Sequence, residues 1–178
     1  MRLLIGQIIG FIGTGVWILS YQFKKSRKLI LCQMAGNILY ITHFILIDAL
    51  SGCMGISLNF IKNILLYNRE KAWTDWWGWR PLLITASIAS MFLTWRDWFS
   101  VLPTVAMITM LLASWSRNGR HIRLAGFFIS SPSWLVYDFH AGSLSGVVCE
   151  IFALVSIALS FIRYGWKGLN GDGESSVS

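Results

Sequence analysis

Seven apolar runs separated by short polar breaks fill almost the whole chain: 3–23, 29–50, 53–67, 81–95, 98–115, 122–139 and 144–162. A helix needs about 20 apolar residues to cross a bilayer. In hydrocarbon each backbone polar group must be satisfied within its own segment, so such runs fold as helices. The third run reaches full length if Lys62 snorkels, its stem in lipid and its ammonium in water. The fourth run is short, and without it the count would be six. Charged residues are only 13% of the 178, against 55% apolar. A soluble domain carries about 25% charged residues. That shortfall excludes a soluble enzyme, a disordered chain and a disulfide-stapled module. The expected fold is an all-α polytopic membrane protein of seven transmembrane helices.

The net charge of +7 would suggest nucleic acid in a soluble protein. Here the bases cluster in the breaks between apolar runs, so they report topology and nucleic acid is not expected as a partner. With seven crossings, Lys24, Lys25, Arg27, Lys28, Lys62, Arg69, Lys71, Arg80, Arg117, Arg120, Arg123, Arg163 and Lys167 share one side. Only Arg2 and Arg96 fall on the other. Cytoplasmic loops carry the excess of Lys and Arg, which predicts the N-terminus outside and the C-terminus inside. This bias works only if the run 81–95 crosses. The first run is expected to stay as a helix: it is too long for a signal peptide, lacks a small-x-small site and leads straight into Lys24 and Lys25.

Ten tryptophans are many for this length. Trp73, Trp76, Trp77 and Trp79 crowd one break, and Trp95 and Trp98 bracket another. An aromatic belt at the membrane interface accounts for them better than a ligand cage. Cys32, Cys53 and Cys149 form no C-x-x-C, so they imply neither a metal site nor a disulfide framework. Cys53 and Cys149 would approach only if two distant helices met.

A weak internal duplication organises the chain. Residues 1–68 form a first three-helix bundle, 69–96 a tryptophan-rich loop and linker helix, and 97–167 a second bundle. Residues 168–178 form a polar tail expected to be disordered. In each bundle the first helix ends at a basic cluster. The second helix ends at a Gly/Ser segment, expected to be a turn: 51–55 in one half and 142–146 in the other. Two registers relate the halves. One pairs Gly55 with Gly146 and sets Asn59 opposite Glu150. The other pairs Leu50, Ser51 and Gly52 with Leu144, Ser145 and Gly146. The first is preferred, because it puts the deep polar residue of each third helix at equal depth. An odd number of crossings precedes the linker, so the repeat is parallel, one known way to build a transporter around a central site.

The segments His43-Phe44-Ile45-Leu46, Gly55-Ile56-Ser57-Leu58-Asn59 and Trp134 with Ala141, Gly142, Ser143, Gly146 and Glu150 resemble the bacterial inner-membrane YgjV family over almost the whole chain. That resemblance implies a multi-pass inner-membrane location rather than a chemistry. The three-plus-one-plus-three plan is also similar to the SWEET sugar facilitators and the PnuC vitamin-precursor transporters. In SWEET proteins a polar residue on the third helix of each half lines the substrate site, and Asn59 and Glu150 are the matching positions. The chain lacks a Pro-Gln dipeptide. Pro103 and Pro132 lie in the second half, while the first half carries Gly13, Gly15 and Gly36 instead. A proline-hinged mechanism therefore does not extend to the first half on sequence grounds.

Glu150 is the sharpest functional signal. It lies about 10 Å into the last run, at 1.5 Å per residue. A charge at the bilayer centre costs at least ~2.5 kcal/mol, so such residues face a cavity or a partner. Asn59 and Asn63 share a helix face. Gln33, Asn37, Tyr40 and Phe44 form a stripe on the second helix, and Ser130, Ser133, Trp134 and Tyr137 one on the sixth. Gln7, Trp17 and Gln22 add to the first. Amides and hydroxyls beside rings suit a small polar solute, although singly they also serve as glue between membrane helices. The candidate solute-binding set is Asn59, Glu150, Asn63, Asn37, Gln33, Tyr40, Trp134, Ser130 and Tyr137. His43, Asp48, Asp138 and His140 gather near the outer helix ends and are read as a gate. Their spacing matches no recognised metal motif.

No catalytic motif, Walker loop or dinucleotide turn is present in the sequence, so neither an enzyme nor a cofactor is expected. The leading expectation is a transporter or facilitator of a small polar solute by alternating access. The alternative is a non-transporting receptor or assembly protein that binds a partner through its cytosolic loops. A metal enzyme built on the two His and two Asp is the least favoured. Self-association into a homo-oligomer is compatible with a unit this small.

Overall fold

A computed structural model describes residues 1–20, 26–116 and 119–168. Gln22, Lys24, Lys25, Arg117 and the tail beyond 168 lie outside the described residues. Among the described residues all regular structure is helical: α1 (Arg2–Ser20), α2 (Ser26–Leu46), α3 (Leu50–Tyr67), α4 (Trp79–Leu93), α5 (Val101–Trp115), α6 (Gly119–Ala125), α7 (Ser131–His140) and α8 (Leu144–Gly168). A π-helical segment, Gly126–Ser130, joins α6 to α7 without a break, so the two make one rod. Single 3₁₀ turns, Ala72–Asp75 and Trp98–Ser100, precede α4 and α5. Arg2–Ser20, Arg27–Leu46 and Trp98–Trp115 are long and apolar enough by themselves to cross a membrane, and Trp79–Leu93 and Leu144–Leu159 are shorter apolar helices.

The helices pack as two groups of three around a middle member. In the first group α2 lies between α1 and α3; in the second the α6–α7 rod lies between α5 and α8. The groups meet along two seams, α1 against α8 and α3 against α5. Exchanging the groups turns one seam into the other. Helix α4 packs on both α3 and α5, so it covers one seam only.

One end of the assembly holds the α2–α3 and α7–α8 turns and is here called the turn end. Arg2 donates to the Ile45 carbonyl there at 2.6 Å, and Gln7 donates to the Gly142 carbonyl at 2.6 Å. The opposite, basic end carries the Arg27–Glu70 ion pair at 2.8 Å and the Arg80 guanidinium over the Trp115 ring. Trp73, Trp76 and Trp79 pack edge to face at that end, with the Trp79 indole N–H donating to the Trp73 carbonyl at 2.8 Å.

Both turns are three residues long and share one hydrogen-bond pattern. Ala49 N–H donates to the Phe44 carbonyl at 2.9 Å, and Ser143 N–H to the Asp138 carbonyl at 2.8 Å. Ile47 N–H bonds His43 as Ala141 N–H bonds Tyr137, and Cys53 N–H bonds Ala49 as Val147 N–H bonds Ser143. The middle residue is left-handed in both, Asp48 at φ 61° and Gly142 at φ 71°. Leu50 therefore pairs with Leu144 and Gly52 with Gly146. This corrects the preferred sequence register: Glu150 pairs with Ile56, not with Asn59.

The error traces to the segment 51–55, expected to be a turn. It lies wholly inside α3. Its glycines serve close packing instead: a methyl on Gly52 would come within 2.7 Å of the Tyr137 ring, and one on Gly55 within 3.0 Å of the Trp134 ring. Small residues are the usual device for close approach between membrane helices, where hydrocarbon supplies no hydrophobic drive for association.

Candidate functional site

The turn end is laced across the two groups by buried polar side chains. His43 on α2 is fully buried. Its Nδ1 contacts the Gly6 carbonyl at 2.8 Å and its Nε2 the Ser143 hydroxyl at 2.8 Å. Ser143 Oγ also accepts from Gly146 N–H at 3.2 Å. Tyr40 lies one turn deeper, its hydroxyl 2.7 Å from Thr14 Oγ1, and both hydroxyls reach the Ser145 carbonyl. On the other side Tyr137 Oη accepts from Gly52 N–H at 2.7 Å. The turn register makes His43 and Tyr137 equivalents. Each leaves the middle helix of its own group and meets the first turn of the third helix of the other.

The expected gate residues do not converge as one constellation. His43 and Asp138 are buried. Asp48 is exposed and pairs with Arg96 at 2.9 Å, and His140 pairs with Asp97 at 2.7 Å while stacking on Phe99. His140 holds the Asp97 carboxyl below its ordinary range. Among the described residues no group of three or more His, Cys, Asp or Glu could hold a metal ion.

Below this network a cavity of about 450 Å³ opens between the two groups. Its walls run from Asp138 and Gly146 near the turn end to Ile122 and Arg123 toward the basic end. Of the expected set, Asn59, Glu150, Tyr40, Trp134 and Ser130 line it. Asn37, Asn63 and Tyr137 are buried in the helix packing beside it, and Gln33 also lies outside its wall. Asn37 supports the wall from behind, its Oδ1 3.5 Å from Asn59 Nδ2.

The cavity also exposes groups that the sequence reading assigned elsewhere or missed. Lys62 does not snorkel to a lipid boundary: it is 8% exposed and faces the cavity. Asp138, expected at the gate, forms the ceiling. Phe44, Cys149 and Ser131 complete the upper wall, and Trp17 lies deeper on α1. The Ser131 hydroxyl lies against the Glu150 carboxyl. Lys62 was legible as the one lysine inside an apolar run; Ser131 carried no such signal.

Local backbone geometry aims the α7 side chains. The Ser131 N–H reaches back to the Gly126 carbonyl, a five-residue step. The π segment fits one more residue per turn than an α-helix. Pro132 follows inside the same rod, where it has no N–H to donate and where the wider π turn before it makes room for its ring.

A family model for the bacterial inner membrane proteins called Imp-YgjV matches residues 4–167. The chain belongs to this family. No curated protein and no solved structure matches it. Membership establishes an inner-membrane protein and agrees with the apolar helices. The family's description names no solute or reaction.

Proposed function

We propose that this protein carries a small polar solute across the inner membrane by alternating access. The observation that supports this reading best is the cavity between the two helix groups, with Asn59, Glu150, Lys62 and Ser130 among rings in its wall. A site near the bilayer midplane, held between two repeats that rock against each other, is a recurring transporter plan. Buried ionisable residues inside a membrane protein mark such pathways. On this reading α1, α2, α3, α4, α5, the α6–α7 rod and α8 make seven crossings. The positive-inside rule puts the basic end in the cytoplasm and the turn end in the periplasm. The described state is then inward-facing, with the His43 and Tyr137 contacts closing the periplasmic side.

The deciding experiment is a thermal-shift screen of the purified protein in detergent against sugars, nucleosides, vitamin precursors and amino acids. Wild type is compared with Asn59→Ala and Glu150→Gln. A compound that raises the melting temperature of wild type alone supports the reading. Folded proteins that no compound shifts would overturn it and direct attention to a partner of the tryptophan-rich loop.

A further inference from the structure

Charge is not spread evenly along the cavity. Asp138 and Glu150 lie toward its closed end, and Lys62 and Arg123 toward its basic end. The turn register puts the starts of α3 and α8 level. Lys62 lies twelve residues beyond Leu50 and Glu150 six beyond Leu144, so the Lys62 backbone is about 9 Å deeper than that of Glu150 at 1.5 Å per residue.

Among the described residues three polar side chains along this wall leave an atom without a partner. Asp138 is 3% exposed; its carboxyl meets the Ser143 hydroxyl, but its Oδ1 accepts no hydrogen bond. The Trp17 indole N–H, buried against the same cavity, donates none. Lys62 makes no ion pair or hydrogen bond among the described residues, although its side chain is almost wholly enclosed. Leaving a buried charge uncompensated costs several kcal/mol, so helix packing alone gives no reason to retain it. The upper groups ask for a donor or cation; the lower ones, an indole N–H and an ammonium, ask for an acceptor or anion. The rings of Tyr40, Phe44 and Trp134 stand at the level of the upper groups. Such faces suit methylene groups and attract an ammonium.

We infer that the cavity takes a zwitterionic amino-carboxylate whose ammonium sits at Asp138 and Glu150 and whose carboxylate, several bonds away, sits at Lys62 and Trp17. This inference rests on the reading of the cavity as a solute site and names the solute's class. A solute with a single charge meets only one end. A neutral polyol leaves both ends unmatched.

The test is calorimetric titration and thermal shift of the full chain in detergent. The probes are β-alanine, γ-aminobutyrate and ε-aminocaproate, with hexylamine, hexanoate and glucose as controls. The expected result is binding that strengthens along the amino-acid series. Hexylamine and hexanoate should bind at least about tenfold more weakly than ε-aminocaproate. Lys62→Gln and Glu150→Gln should each weaken ε-aminocaproate about tenfold or more, while Lys62→Arg retains it. The ligand series on wild type decides the matter even if a variant does not fold. Hexylamine or hexanoate binding as tightly as ε-aminocaproate overturns the inference. Glucose binding without any amino acid also overturns it, and leaves the cavity a solute site. If no probe binds here and no compound in the broader screen shifts the protein, both readings fall.

Discussion

The two ends of the molecule treat the same interface differently. At the turn end the helix groups are joined by buried hydrogen bonds through His43, Tyr40, Thr14 and Tyr137. Toward the basic end the same groups stand apart around the cavity. Each interhelical hydrogen bond in a membrane protein averages about 0.6 kcal/mol. A handful of such contacts supplies a closure worth a few kcal/mol, strong enough to hold and weak enough to open. The lesson is that the polar residues of such a chain divide into two kinds. Those bonded across the seam close it, and others, Lys62 among them, line the space that remains.

The largest expected effect comes from glycine at the closed end. In Gly10→Val the new side chain overlaps the Ser145 hydroxyl and His43 Nδ1, both held in the network. Overpacking of this sort costs about 3 kcal/mol, and the melting temperature should fall steeply. Gly36→Ala is the contrasting case, because the nearest atoms its methyl meets all belong to the Trp17 ring, which borders free space. Its loss should be clearly smaller, and equal losses would break the comparison. His43→Ala comes next. It strips the Gly6 carbonyl and the Ser143 hydroxyl of a buried partner, at about 2 kcal/mol. Maleimide labelling of Cys149, which lines the cavity, should then accelerate from the turn-end side. Unchanged labelling would show that the network is not the barrier.

Tyr137→Phe removes one acceptor, for Gly52 N–H, and should cost about 1 kcal/mol by thermal unfolding. The smallest effects lie at the rim. Asp48→Asn breaks a half-exposed ion pair and should change stability by about 0.5 kcal/mol or less. The Asp97–His140 pair has a sign that can be checked. Its carboxyl titrates lower in the folded protein than in the unfolded chain. The stabilisation is therefore present above the ordinary carboxylate range and fades as pH falls through the lowered value. Asp97→Asn should lower the neutral side of a stability–pH profile slightly and leave its acid end little changed, so the profile flattens between them.

Much of the fold was legible because hydropathy in a bilayer maps directly onto helix number. All seven apolar runs correspond to helical rods, and the tryptophan-rich break, with Trp79 at its end, stands between α3 and α4. The short run at 81–95, the least secure from length alone, is α4. The repeat register was misread because glycine and serine signal turns in water but close packing in lipid. The segment 51–55 looked like a loop and is the first turn and a half of a helix. Five of the nine expected binding residues line the cavity, since helical periodicity puts a polar stripe on one face. Periodicity does not say which neighbour covers that face. Asn37 and Tyr137 share stripes with lining residues yet are buried in the packing, whereas Lys62 faces inward because α5, α6 and α8 leave space there.

Helix α4 bears on only one of the two seams. The α3–α5 contact is thus clamped by a third rod, while among the described residues the α1–α8 contact is tied by hydrogen bonds such as Thr14 to the Ser145 carbonyl. Two bodies clamped along one edge and held along the other by hydrogen bonds that can open do not tilt about a central pivot; they swing about the clamped edge. Displacement should then grow with distance from α4, and spin labels spanning α1 and α8 should register a wider spread of separations than labels spanning α3 and α5.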